Sequence, residues 1–238
     1  MAKELRANLF GTFSLSYDGQ LLTGKNKSSE SNFISLMEII LHAGSKGVPR
    51  DELEQAIFQN VDLKNVHHST QNVIYNAKKR LLASGLPDVN YIEQKDGVFY
   101  WTDEIPVVED AREFERLCSE AGEEQDISRR ISLYMDAIHI YDGEFLEMQA
   151  SVVWIAKEAR RYRELFCECV ETAAGLLRQK EEWFLLEDLG LYAAKVHPFS
   201  EWETLTMEAL IATSRYDDAI RFYEDTVEYY MNVIGLKP

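Results

Sequence analysis

Apolar residues recur along this chain with two periods, and the switches between them predict its elements. From residue 8 to residue 23, apolar and polar positions alternate on either side of Tyr17-Asp18-Gly19-Gln20. A period of two marks a half-buried strand, and Asp-Gly favours the tight turn of a hairpin. Residues 25–30 are polar and read as a loop. Phe33, Leu36, Met37, Ile40 and Leu41 then follow helical spacing, with Ser29 or Ser31 placed to cap the helix and Gly44 and Gly47 to end it. Pro49 precedes a short helix over residues 50–58 with Leu53, Ala56 and Ile57 inward. After a loop at 59–68, the spacing of Ile74, Ala77 and Leu81 predicts a third helix over residues 69–82. Residues 91–101 read as two strands about Asp96-Gly97. Strands, three helices and a closing hairpin in this order predict a winged helix-turn-helix over residues 1–105.

The period changes for good near Glu109. Beyond it the chain is helix-forming, without proline between Pro106 and Pro198, and with loops expected at 122–126, 142–143 and 197–198. Residues 151–180 predict one long helix with Trp154, Ala159, Tyr162, Leu165, Phe166, Cys169 and Leu176 inward, and Arg160, Arg161, Arg163 and Glu164 on a solvated face. Trp183 and Tyr216 stand 33 residues apart, close to a tetratricopeptide period, with Ala193 and Ala219 as the small residues that let helices approach. The expected fold is an α+β winged helix-turn-helix domain followed by an all-α tetratricopeptide-like helical array. Such arrays present surfaces for proteins or peptides.

Opposite the apolar stripe, the third helix carries Gln71, Asn72, Tyr75, Asn76 and Lys79. Asn and Gln pair bidentately with adenine edges, so these five are candidate base readers. Lys78, Arg80 and, on the hairpin, Lys95 are candidate phosphate contacts. An ordinary solvated helix face is the competing reading of the same pattern.

Charge changes the picture in one respect. The chain carries a net −16, but residues 1–105 hold 11 Lys and Arg against 13 Asp and Glu, while the remainder holds 14 against 28. Screening over about 8 Å at physiological salt lets a near-neutral first domain act despite a distant acidic one. With few basic groups it makes few phosphate contacts, and tight binding then calls for a second copy or a partner.

Chemistry is scarce. His67-His68 cannot present both rings on one helical face, Cys167-x-Cys169 lacks a second ligand pair for zinc, and Glu123-Glu124 and Glu181-Glu182 have nothing nearby to hold a substrate. No phosphate-cradling glycine loop or nucleophile elbow occurs. The sequence therefore points to no enzyme, no cofactor and no metal. No apolar run approaches the roughly 18 residues of a membrane helix, and the polar start Met1-Ala2-Lys3-Glu4-Leu5-Arg6 lacks a secretion signal. The expected compartment is the cytoplasm, with Cys118, Cys167 and Cys169 reduced.

Particular motifs carry a resemblance. Val48-Pro49-Arg50-Asp51-Glu52-Leu53, Asn72-Val73-Ile74-Tyr75-Asn76-Ala77-Lys78-Lys79-Arg80-Leu81 and the strand at 97–101 resemble the OmpR-type winged helix. Val108-Glu109-Asp110-Ala111-Arg112-Glu113-Phe114-Glu115, Tyr141-Asp142-Gly143-Glu144-Phe145-Leu146, Trp154, His197-Pro198-Phe199-Ser200-Glu201 and Gly235-Leu236-Lys237-Pro238 are similar to the bacterial transcriptional activator domain, here residues 106–238. Together they resemble the regulators related to the Streptomyces antibiotic regulatory proteins (SARPs), which continue past this last motif. The resemblance implies a transcriptional activator that binds double-stranded DNA with its winged helix in the major groove. It further implies a helical domain for dimerisation or for RNA polymerase, and a homodimer or repeated half-sites. One departure stands out. Relatives carry Arg-Leu-Arg where this chain has Asn76-Ala77-Lys78, and lysine meets phosphate as a point charge without the guanidinium fork. A second class therefore stays open: an interaction protein whose winged helix no longer binds DNA.

Overall fold

Alternate residues of the first two strands point into a common core, and the rest of the first unit is built on them. In a computed structural model that describes residues 4–23, 29–58 and 66–235, β1 (Leu5–Asn8) and β2 (Ser14–Tyr17) pair antiparallel and bury Leu5, Ala7, Leu15 and Tyr17. β3 (Gln20–Leu21) follows a turn in which Asp18 and Gly19 both have positive φ, 50° and 79°. That is the primed turn which Asp-Gly favours, because its twist matches that of the strands.

Three helices cover this sheet's core. α1 (Ser29–Ala43) buries Phe33, Leu36, Met37, Ile40 and Leu41, and Gly44 and Gly47 follow it with φ of 54° and 67°. The loops expected at 25–30 and 59–68 fall largely outside the described residues, as does the side chain of Ser29. β4 (Val48–Pro49) leads into α2 (Arg50–Phe58), which buries Leu53, Ala56 and Ile57. α3 (Val66–Ala83) begins three residues before the predicted start. β5 (Ile92–Lys95) and β6 (Val98–Trp101) form a hairpin about Asp96 and Gly97, again both at positive φ, in a sheet of order β4-β6-β5. This is the winged helix-turn-helix. β7 (Val107–Glu109) then returns to run parallel to β1, closing the first sheet in the order β3-β2-β1-β7. β4 and β7, of two and three residues, are too short to show a period and escaped prediction.

The spatial division differs from the sequence boundary at 105/106. The chain gathers into one unit of residues Met1–Glu113 and Phe145–Ala159 and another of Phe114–Glu144 and Arg160–Pro238. Local bonding in the first unit explains its second segment. Leu146 N donates to Leu9 O at 2.7 Å, Phe145 lies edge-on to Phe10, and Trp154 stacks on His42 with centroids 6.0 Å apart. Asp110, which opens α4 (Asp110–Glu123), accepts from the amides of Leu9, Phe10 and Ala111 at 2.7–3.0 Å.

The second unit is helical. α5 (Ile127–Ile140) is capped by Asp126, whose carboxylate accepts from Arg129 N at 2.8 Å. α6 (Val153–Lys180) is the predicted long helix, followed by α7 (Trp183–Val196), α8 (Glu203–Ala212) and α9 (Tyr216–Ile234). Buried Phe114, Tyr141, Tyr162 and Phe166 form an aromatic cluster, with Tyr141 stacked on Phe166 at 4.6 Å. On α6, Tyr162, Phe166 and Cys169 are buried as predicted, whereas Trp154, Ala159, Leu165 and Leu176 are half-buried. Ile155, Val170 and Leu177 take the deep positions instead, because the helix turns its stripe by about one residue at each end. Arg160 pairs with Glu164 and Arg161 with Glu115, a solvated ionic face. Trp183 and Tyr216 each begin a helix, and Ala193 and Ala219 are buried, as a tetratricopeptide-like array requires.

Candidate nucleic-acid interface

The packing of α3 decides which side chains can reach a ligand. Thr70, Ala77 and Leu81 are buried and Val73 and Ile74 half-buried against the first unit's core. The opposite side is thereby committed to solvent. Gln71, Asn72, Tyr75, Asn76 and Lys79 are all exposed along it, Tyr75 by 58%. The structure brings these five together on one helical face. Lys79 Nζ sits 4.5 Å from the centre of the Tyr75 ring, a cation–π contact that orders both side chains without hiding them.

The three candidate phosphate contacts are placed differently. Arg80 is withdrawn: its guanidinium donates to Leu22 O at 2.7 Å and lies 4.2 Å from the Phe33 ring centre, so it ties α3 to the core. Lys78 is half-buried with its ammonium 3.5 Å from Asp88. Lys95 ends β5 beside the Asp96-Gly97 turn, exposed, and its ammonium lies 2.9 Å from Glu93. The hydrogen bond and charge of Glu93 hold its pKa above the ordinary lysine value. Such an exposed pair is weak, and a phosphate can displace the carboxylate.

Starting α3 at Val66 adds residues that sequence reasoning did not assign to the interface. His67 and His68 now lie exposed on its first turn, with His67 Nδ1 2.6 Å from Glu54. The signal that could have found them is the helical register itself, since His68 stands four residues before Asn72 and seven before Tyr75.

Elsewhere the described residues contain no group of three or more His, Cys, Asp and Glu side chains that could hold a metal. Cys169 meets Cys118 instead, with sulfurs 3.1 Å apart, a contact that the local spacing of cysteines could not reveal. Both thiols are buried, and the hydrogen bond to Cys169 followed by burial pushes the Cys118 thiol up. No helix among the described residues is long and apolar enough to cross a membrane.

Comparison with known proteins agrees with this architecture. No curated protein matches the chain. A solved structure of Mycobacterium tuberculosis EmbR, in complex with a low affinity phosphopeptide, superposes with a TM-score of 0.69 at 15% sequence identity. The match covers 100% of this chain and 62% of that one, so the chain spans under two thirds of EmbR's length. The model of the bacterial transcriptional activator domain matches residues 109–238, just over half of the sequence. The chain therefore belongs to the bacterial transcriptional activator domain family, carrying that domain behind a winged helix.

Proposed function

We propose that the chain is a sequence-specific DNA-binding transcriptional regulator, an activator by family, with residues 1–105 as its reading domain. α3 enters the major groove and reads base edges through Gln71, Asn72, Tyr75, Asn76 and Lys79. Lys78 and, on the wing, Lys95 meet phosphates. The observation that carries this reading is the exposure of all five base-reading candidates on the face opposite buried Ala77 and Leu81. Arg80 drops out of the phosphate set because Leu22 and Phe33 hold it. The helical array serves dimerisation or contact with RNA polymerase, and a homodimer on repeated half-sites offsets the shortage of basic groups.

The test is selection of duplex DNA from a random library at low salt, followed by titration of the enriched sequence at rising salt. An enriched motif with half-sites about one helical turn apart is expected. With two phosphate contacts per copy, from Lys78 and Lys95, the slope of log K against log salt is shallow, about −2 per copy. The pairing of Lys78 with Asp88 and Lys95 with Glu93, together with the withdrawal of Arg80, favours a second reading as an interaction protein. Absence of any enriched sequence at low salt selects that reading.

A further inference from the structure

The second unit contains a cavity of about 330 Å³ between the loop before α8, the first turns of α8 and the middle of α9. Its walls are aromatic: Phe199, Phe222, Tyr223 and Tyr230, with Met207 among them. Its acidic groups are Glu201 and Glu203, and among the described residues no Lys, Arg or His lines it. Glu203 accepts a hydrogen bond from the Tyr230 hydroxyl at Oε1, 3.3 Å away, while its Oε2 is buried with no hydrogen-bond partner among the described residues. The nearby arginines are committed elsewhere, Arg215 to Glu187 and Asp218 and Arg221 to Asp218.

Glu201 and Glu203 bring two carboxylates to a cavity walled by aromatic side chains, and a cation entering it offsets their charge. Ring faces carry negative potential, so walls and carboxylate select the same charge. Phe199 is itself fixed, stacked on Tyr229 at 5.4 Å and edge-on to Tyr230 at 4.8 Å, with φ of 67° at Phe199 and 66° at Glu201. Burial pushes the Tyr230 phenol up, and the charge of Glu203 adds to it, the sign expected of a negative site.

We infer that this cavity binds a small organic ammonium cation, with Glu203 as its counter-ion and Phe199, Phe222, Tyr223 and Tyr230 as its aromatic walls. The volume suits a small molecule. DNA reading by α3 makes no use of the cavity, so either proposal can fail without the other.

The experiment is calorimetric titration of the full chain with choline and with 3,3-dimethylbutan-1-ol, which has the same shape and no charge. Choline is expected to bind about tenfold or more tightly than the alcohol. Glu203→Gln should erase that preference, and Tyr223→Ala, at the exposed rim, should weaken choline with the circular dichroism unchanged. Equal binding of the two compounds, binding of neither, or binding of a lysine-rich peptide but not choline overturns the inference. The wild-type comparison decides the matter even where Glu203→Gln does not fold.

Discussion

Two glycine-to-alanine substitutions in the second unit should change stability in opposite directions. Gly190 lies inside α7 where α8 crosses it. A Cβ placed there would fall 2.6 Å from Thr206 Oγ1, 2.7 Å from the Thr206 backbone nitrogen and 3.0 Å from Leu205 Cβ. Gly175, inside α6, has nothing within 4 Å of the same point and is exposed. Alanine in a helix gains about 1 kcal/mol over glycine, and Gly175→Ala should keep that gain. At Gly190 the clash is with backbone, which cannot rotate aside, so α7 and α8 must part by roughly 0.8 Å to restore ordinary contact near 3.5 Å. Overpacking of this kind costs about 1–3 kcal/mol, and a backbone clash belongs at the upper end. The net for Gly190→Ala is a loss of about 2 kcal/mol, leaving the two variants about 3 kcal/mol apart. Urea unfolding followed by far-ultraviolet circular dichroism reads the difference, with unchanged slopes showing that stability, and not the surface exposed on unfolding, has changed. Gly190→Ala as stable as the wild type would refute the close crossing of α7 and α8.

Other outcomes follow from individual side chains. Glu38 is buried, and burial pushes its carboxyl up to about 7 against the hydrogen bonds donated by Gln149 Nε2. Because the folded pKa is raised from 4.5, its stabilising contribution is complete below about pH 4.5 and is lost as pH rises through about 7, a decline of about 3 kcal/mol. Glu38→Gln should flatten that decline in unfolding curves from pH 5 to pH 8; an unchanged profile would assign the pH dependence to other groups. Asn76→Ala should weaken binding to the selected DNA site by about 1–3 kcal/mol and leave random DNA nearly unaffected, while Lys79→Ala lowers both; equal losses for Asn76→Ala on all sequences refute base reading. Trp154→Ala removes an indole packed on His42 and Phe145 and should cost about 3 kcal/mol in thermal or urea unfolding, a near-zero change placing it outside the packed set. Iodoacetamide at neutral pH should label half-buried Cys167 first and reach buried Cys118 and Cys169 only in denaturant, as mass spectrometry can check.

Much of the candidate site was legible before the fold was. The burial of Ala77 and Leu81 and the exposure of Asn72, Tyr75 and Asn76 follow from 3.6-residue periodicity alone, since a helix that buries one stripe must show the other. The same periodicity puts Arg80 at the edge of that face. Only contact with Leu22 and Phe33, far back in the sequence, draws its guanidinium inward.

The sequence by itself determined what local rules control: two Asp-Gly hairpin turns, the cores of α1, α2 and α3, the long α6, and the helix starts at Trp183 and Tyr216. These depend on neighbours within a few residues, where propensity and spacing speak directly. The tertiary structure decided the parallel pairing of β7 with β1, the recruitment of Phe145 and Trp154 to the first unit, and the meeting of Cys118 with Cys169. It also decided that Glu203 lines one cavity with Phe222, Tyr223 and Tyr230. Each of these joins residues distant in sequence, and no local pattern records a contact that exists only once the intervening chain has closed.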